Sequence, residues 1–429
     1  MHQKRTVFLF GSGAALEWNS PTTSELTKLI KETGFKTTDN KTTITEFIYE
    51  TLRANEYSDS DVNFETIISV IEELIVYYSQ SDPDTKIPSL LSCFLRPRFE
   101  KELLNYSVKG GTAKHGYQLQ IPADLDYCFS KAAYRNETIS QSFFQQLLLL
   151  LLTTIAGRIH EYAYHTATHS VINVDGDTSK SFTTWMKLLS ANSILRLYTL
   201  NYERVFQILL ARAGICVFEG FHCEEHIGRD ITLRADVRKI LSDTKSHIHY
   251  NLHGSVFWGV RDLDWKQLPN PEIVASYIYD LPLTNNPVSV QIEKGKTLLV
   301  TSIVTGYQKA QRGMMAPFKQ MQAAFDRDCC FADEIYVIGY SFGDEHINES
   351  MKTAIRHNQK VKINIVEPQF FKNEMELKLA LELFPFRQEN NMKKEKVRDD
   401  LYRYFGGTFT VHTITFKEFL KSRLLAHSS

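Results

Sequence analysis

The 429-residue sequence predicts an α/β, doubly wound fold: a mostly parallel sheet with helices on both faces and a helical subdomain inserted after the first strand. Three observations carry this expectation. From about residue 190, short β-branched runs alternate with amphipathic stretches, the pattern of strands joined by crossover helices. A strand of the same kind, "RTVFLF", opens the chain and ends in the small-residue turn "GSGAA" (11–15). Between these regions the apolar residues recur at helical spacing.

The elements follow in order. "TTSELTKLIKETG" starts with a Thr/Ser cap and Glu25 and closes at Gly34, so a helix follows the first turn. "NFETIISVIEELIVYYSQ" (63–80) and "SQSFFQQLLLLLLTTIAGRIHEYAYH" (140–165) predict two more helices. The prolines, glycines and "VKGGTAKHG" loop of 81–139 predict an irregular connection. Strand "ILRLYTL", helix "ERVFQILLARAG" and strands "ICVFEG" and "HIHYNLHG" (247–254) come next. They are followed by strand "TLLVTSIV" (297–304), helix "YQKAQRGMMAPFKQMQAAFDRD" and strand "EIYVIGYS" (334–341). Helix "EHINESMKTAIRHN" and strand "VKINIVEP" (361–368) complete the alternation. Residues 1–34 and 181–368 therefore read as one Rossmann-like domain, and 35–180 as the inserted helical subdomain. Residues 369–429 read as a charged C-terminal extension with a late strand, "TVHTITF".

Composition sets the bounds. Hydrophobic residues at 43% and charged residues at 23% are ordinary for a chain that buries a core. With 49 basic and 50 acidic residues the net charge is −1, which gives no general attraction to nucleic acid or anionic lipid. The run "LLLLLL" (147–152) is far shorter than the ~20 residues of a membrane span, so it reads as a buried helix. Six cysteines with no CxxC pair argue against a disulfide framework and a zinc ribbon, and for a reducing, cytoplasmic setting.

In a doubly wound sheet, ligands sit beyond the carboxyl ends of the strands. Four segments fall at such ends: "FGSGAA", "TLNYE" (199–203), "NLHGS" (251–255) and "IGYSFGDEHIN" (338–348). Gly11 and Gly13 let the backbone approach a diphosphate, and a many-purpose strand-to-loop turn would look the same. Gly339 and Ser341 repeat that logic near the far end of the chain. Glu367, at the end of a later strand, is of the type that accepts hydrogen bonds from ribose hydroxyls. Asp344 reads as a helix cap. His253 is either a structural histidine or a base, and Asn201 either a turn former or an amide that orients a ribose or water. Placed on one sheet edge, these residues describe a nucleotide-binding α/β protein.

The ordered set "GSGAA…P", "TLNYE", "NLHGS" and "GYSFGD" resembles the sirtuin superfamily, particularly its bacterial sirtuin-like NADase branch in antiphage defence. The resemblance covers about 1–35 and 190–368. It implies NAD+ as substrate, with no metal required, and carries roles onto matching positions. Gly11, Ser12, Gly13 and Ala14 would form the glycine-rich NAD loop, and Pro21 the turn over the nicotinamide end. Asn201 would hold the nicotinamide ribose and a water, and His253 would act as base. Gly339 and Ser341 would meet the adenosine side, with Glu367 on the adenine ribose. The departures are specific: no zinc ribbon follows His253, Glu203 stands where aspartate is common, and no Phe-Arg pair follows Pro21. The resemblance thus favours NAD+ hydrolysis to nicotinamide and ADP-ribose by a regulated effector, over a silent NAD or ADP-ribose sensor and over protein deacylation or ADP-ribosylation. It also implies a homo-oligomer and, as partners, a HerA-type motor ATPase made separately or a phage-derived trigger.

Overall fold

The computed structural model describes residues 3–37, 41–54, 62–79, 108–109, 118–119, 139–166, 169–227, 230–262, 271–276, 289–293, 296–305, 315–372, 375–383 and 394–428. Most of the expected irregular connection at 81–139, and the start of the helix expected from 307, lie outside these residues.

The central sheet has eight strands: β1 (Lys4–Phe10), β2 (Ser193–Thr199), β3 (Ile248–Asn251), β4 (Glu334–Ile338), β5 (Lys362–Val366), β6 (Glu395–Arg398), β7 (Leu401–Tyr404) and β8 (Phe409–His412). Their spatial order is β6-β7-β8-β5-β4-β1-β2-β3. From β8 through β3 every pairing is parallel, and β6 and β7 add an antiparallel edge. The chain leaves β1 toward β2 and β3, then returns to the other side of β1 as β4. That reversal creates a switch point between β1 and β4, where the two crossovers diverge and leave a crevice. The expected α/β doubly wound architecture is the one observed.

Helices cover both faces. α1 (Thr23–Lys31), α2 (Ile44–Ala54), α3 (Phe64–Ser79), α4 (Ile139–Ala163), α5 (Asp177–Ser190) and α6 (Val205–Arg212) precede β3. α7 (Val237–Ser242), α8 (Phe318–Cys330), α9 (Glu345–His357), α10 (Met375–Leu383) and α11 (Phe416–Ser428) complete the set. Alternate β1 residues face opposite ways, as strand pleating requires. Phe8 and Phe10 enter a core shared with α1 to α6 and α11, whereas Val7 and Leu9 enter one shared with α7 to α10. The leucine run behaves as the sequence predicts: Leu147, Leu148, Leu151 and Leu152 are fully buried in that first core, together with Ile67, Ile68 and Ile71 of α3. α1 starts at a capping box in which Thr22 and Glu25 bond each other's backbone amides, satisfying two otherwise orphaned donors.

Two expected strands differ. "ICVFEG" contributes only a single bridge, Phe218 to Ile248, because the chain turns at Gly220 (φ +95°) into a separate antiparallel sheet. Of "TLLVTSIV" (297–304) only the first three residues are extended, in the strand Lys296–Leu299 that pairs antiparallel with Ser289–Glu293. Val300, Ile303 and Val304 are buried instead in a loop against the end of β3, where the Val304 amide donates to the His253 carbonyl at 2.8 Å. A short apolar run satisfies either environment, and the place beside β1 is filled by β4. The 394–428 segment joins the central sheet through β8, which pairs with β5, and its α11 packs on α5.

Candidate functional site

At the β1–β4 switch point two glycine turns interlock. The Gly11 amide donates to the Ile338 carbonyl at 2.9 Å, and the Gly13 amide to the Gly339 carbonyl at 3.0 Å. Gly339 adopts φ +62°, and a Cβ there would lie 2.3 Å from the Ala14 nitrogen. No side chain fits between backbones this close. Because the Gly13 and Ala14 amides already bond within the protein, and Ala14 is buried, these two residues build the seam and do not line the crevice.

The crevice is a cleft of about 1010 Å³. Gly11, Ser12, Pro21, Asn201, His253, Gly339 and Ser341 all line it, although the sequence spreads them over most of the chain. Glu367 does not: its carboxylate accepts from the Gln369 amide at 2.9 Å, just past β5. Tyr162 of α4 and Lys28 and Lys31 of α1 supply one wall.

Asn201 is held on every side but one. Its backbone amide donates to Thr199 Oγ1 at 3.0 Å, and its Nδ2 donates to the Gly11 carbonyl at 3.1 Å and to Glu203 Oε1 at 3.5 Å. Among the described residues nothing donates to its Oδ1, so that oxygen remains as an acceptor at the cleft. Asn251, at the end of β3, donates from Nδ2 to the carbonyls of Asn201 (3.0 Å) and Glu203 (2.8 Å), clamping the turn. β3 is itself anchored from below by buried Arg196, which pairs with Asp328 at 2.5 Å and donates to the carbonyls of Asp243 and Ser246.

Two residues beyond Asn251 stands His253, 3% exposed. Gly254 follows at φ +80°, and a Cβ there would lie 2.0 Å from the Ser302 carbonyl oxygen. Glycine is therefore required for the chain to turn beneath the loop that bonds the His253 carbonyl. Asp344, expected as a helix cap, occupies the N-cap position of α9 but makes no side-chain cap bond. Its Oδ1 lies 3.9 Å from His253 Nε2. Asn251, Asp344 and Tyr162 are site residues that the sequence reading missed. Asp344 is visible in "GYSFGD", whereas Tyr162 sits on an apolar helix with nothing local to single it out.

Behind Asn201, burial pushes the Glu203 carboxyl from its ordinary 4.5 up to about 7, against hydrogen bonds from the Val205 amide and the Asn201 side chain. Between those values the folded chain keeps a proton that the unfolded chain has released, so this group makes stability fall as pH rises from about 4.5 through about 7. Glu73 and Glu219, raised likewise by burial, act in the same direction. His249, lowered by burial to about 4, opposes them below its ordinary value of 6.5. Comparing variant with parent isolates one share of this balance. Glu203→Gln is expected to lose less stability than the parent between about pH 5 and about pH 7.5, read as urea midpoints. Equal losses would show that Glu203 is ionised in the folded chain throughout.

No family model and no curated protein matches the chain. Among solved structures, it is similar to a Sir2 homologue mutant in complex with ADP-ribose. Their identity is 16% over 86% of this chain and 81% of that one, with a TM-score of 0.32. It is also similar to a Sir2 homologue in complex with NAD, at 12% identity over 98% of this chain and 88% of that one, with a TM-score of 0.37. The assignment of the chain as an α/β doubly wound protein rests on its own strand order and switch point, not on these scores.

Proposed function

We propose that the chain is an NAD+ glycohydrolase that binds NAD+ in the switch-point cleft and hydrolyses the bond between nicotinamide and ribose. One observation carries the reading: Asn201 and His253 line the same cleft as the two interlocked glycine turns. The Gly11–Ser12 and Gly339–Ser341 turns line the cleft where a diphosphate would lie, and the cleft is large enough for a dinucleotide. Asn201 Oδ1 would accept from the attacking water or a ribose hydroxyl. The water oxygen bonds to C1′ as the C1′–N bond breaks, and that electron pair neutralises the pyridinium nitrogen of the departing nicotinamide. His253 takes the proton that the water loses. Positive charge on the ribose peaks in the transition state, so fixed dipoles at this edge lower the barrier.

The sequence resemblance extends the proposal to a regulated, NAD-depleting effector of antiphage defence. In that setting it would work as a homo-oligomer, with a HerA-type ATPase or a phage product as trigger.

Incubation of the purified protein with NAD+, alone and with any co-purifying partner, tests the chemistry by chromatography of the products. Nicotinamide and ADP-ribose are expected in equal amounts. Asn201→Ala is expected to slow their release about 100-fold, the scale of losing one orienting dipole. NAD+ that binds the cleft and is recovered intact under all these conditions would rule out hydrolysis.

A further inference from the structure

We infer that Asp344 is a positioning residue for His253: its carboxylate orients the imidazole and faces the positive charge the ring acquires on taking a proton. The inference rests on the proposed hydrolysis and adds a residue to it. The motif suggests a helix cap, yet the side chain of Asp344 bonds none of the amides of α9. It turns toward the cleft, with Oδ1 at 3.9 Å from His253 Nε2 and side-chain exposures of 16% and 4%. A pair so withdrawn from water is weakly screened, so its mutual orientation matters more than it would at the surface.

The carboxylate is fixed by its backbone. The Asp344 amide donates to Tyr340 Oη at 2.9 Å, and the Asp344 carbonyl accepts from the Ile347 and Asn348 amides. Asn348 in turn donates to the Phe342 carbonyl at 2.9 Å and meets Tyr340 Oη at 3.0 Å. This network of backbone and Tyr340 and Asn348 contacts sets the Ser341–Asp344 turn, and from that turn Asp344 Oδ1 reaches to 3.9 Å from the His253 ring. A base oriented by a third group is the usual arrangement for proton transfer in water-poor clefts.

Steady-state nicotinamide release by the parent, His253→Ala, Asp344→Asn and Asp344→Glu provides the test, alongside calorimetric titration with ADP-ribose. Asp344→Asn is expected to lower kcat about 100-fold while KM and ADP-ribose affinity change less than about threefold, and Asp344→Glu to recover part of the loss. A purely structural role would weaken ADP-ribose binding along with kcat and would not distinguish Glu from Asn. An Asp344→Asn protein as fast as the parent, beside a dead His253→Ala, would overturn the inference and leave hydrolysis standing. A parent that releases no nicotinamide would remove both.

Discussion

Replacing His253 with alanine is expected to lower NAD+ turnover about 1000-fold while leaving the fold in place. The reasons are separable. The backbone of His253 holds the loop through its carbonyl, which accepts from the Val304 amide, and the following Gly254 amide bonds the Asn251 carbonyl. Alanine keeps both bonds. What disappears is the imidazole, the group that faces Asp344 and would take the proton of the attacking water. Melting temperature and ADP-ribose binding should therefore stay near parental values while nicotinamide release collapses. Loss of binding together with activity would recast His253 as a structural histidine.

Gly339→Ala is expected to destabilise the fold by about 3 kcal/mol or more. The new Cβ would lie 2.3 Å from the Ala14 nitrogen and 2.4 Å from the Gly13 carbonyl carbon, and both neighbours are backbone with no rotamer to yield. The left-handed φ of +62° adds its own strain for any L side chain. Relief requires the β1 turn to move, and with it the Gly11 carbonyl that holds Asn201 Nδ2. Stability and ADP-ribose affinity should thus fall together. Gly343→Ala, whose Cβ would meet only Ser341 Oγ at 3.7 Å, is the control and should melt near the parent. Equal behaviour of the two variants in urea titration would show that the turns do not interlock.

Much of the fold was legible because its signals are local. The strand β1, the helix α1 and the buried face of α4 each follow from a dozen neighbouring residues. So was the placement of Asn201 and His253 on one rim, since the end of a parallel strand next to a switch point is a position that topology alone defines. Pairing across long separations was less visible. Nothing in "TLLVTSIV" distinguishes a sheet strand from a buried loop, and nothing in "TVHTITF" says that β8 joins β5. Within the site, side-chain direction was the missing information. Asp344 has the residue type and position of a cap, and only its geometry shows the carboxylate turned to His253. Gly13 and Ala14 have the wording of a phosphate loop, yet their amides are already bonded. Glu367 ends its strand as expected but stands outside the cleft.

A crystal structure of the protein soaked with ADP-ribose tests the central claim most directly. The diphosphate is expected against the Gly11–Ser12 and Gly339–Ser341 turns, with the terminal ribose within about 3 Å of Asn201 Oδ1 and reached by the His253 ring. Density for ADP-ribose on another surface, with the space between residues 201 and 253 filled only by water, would contradict it.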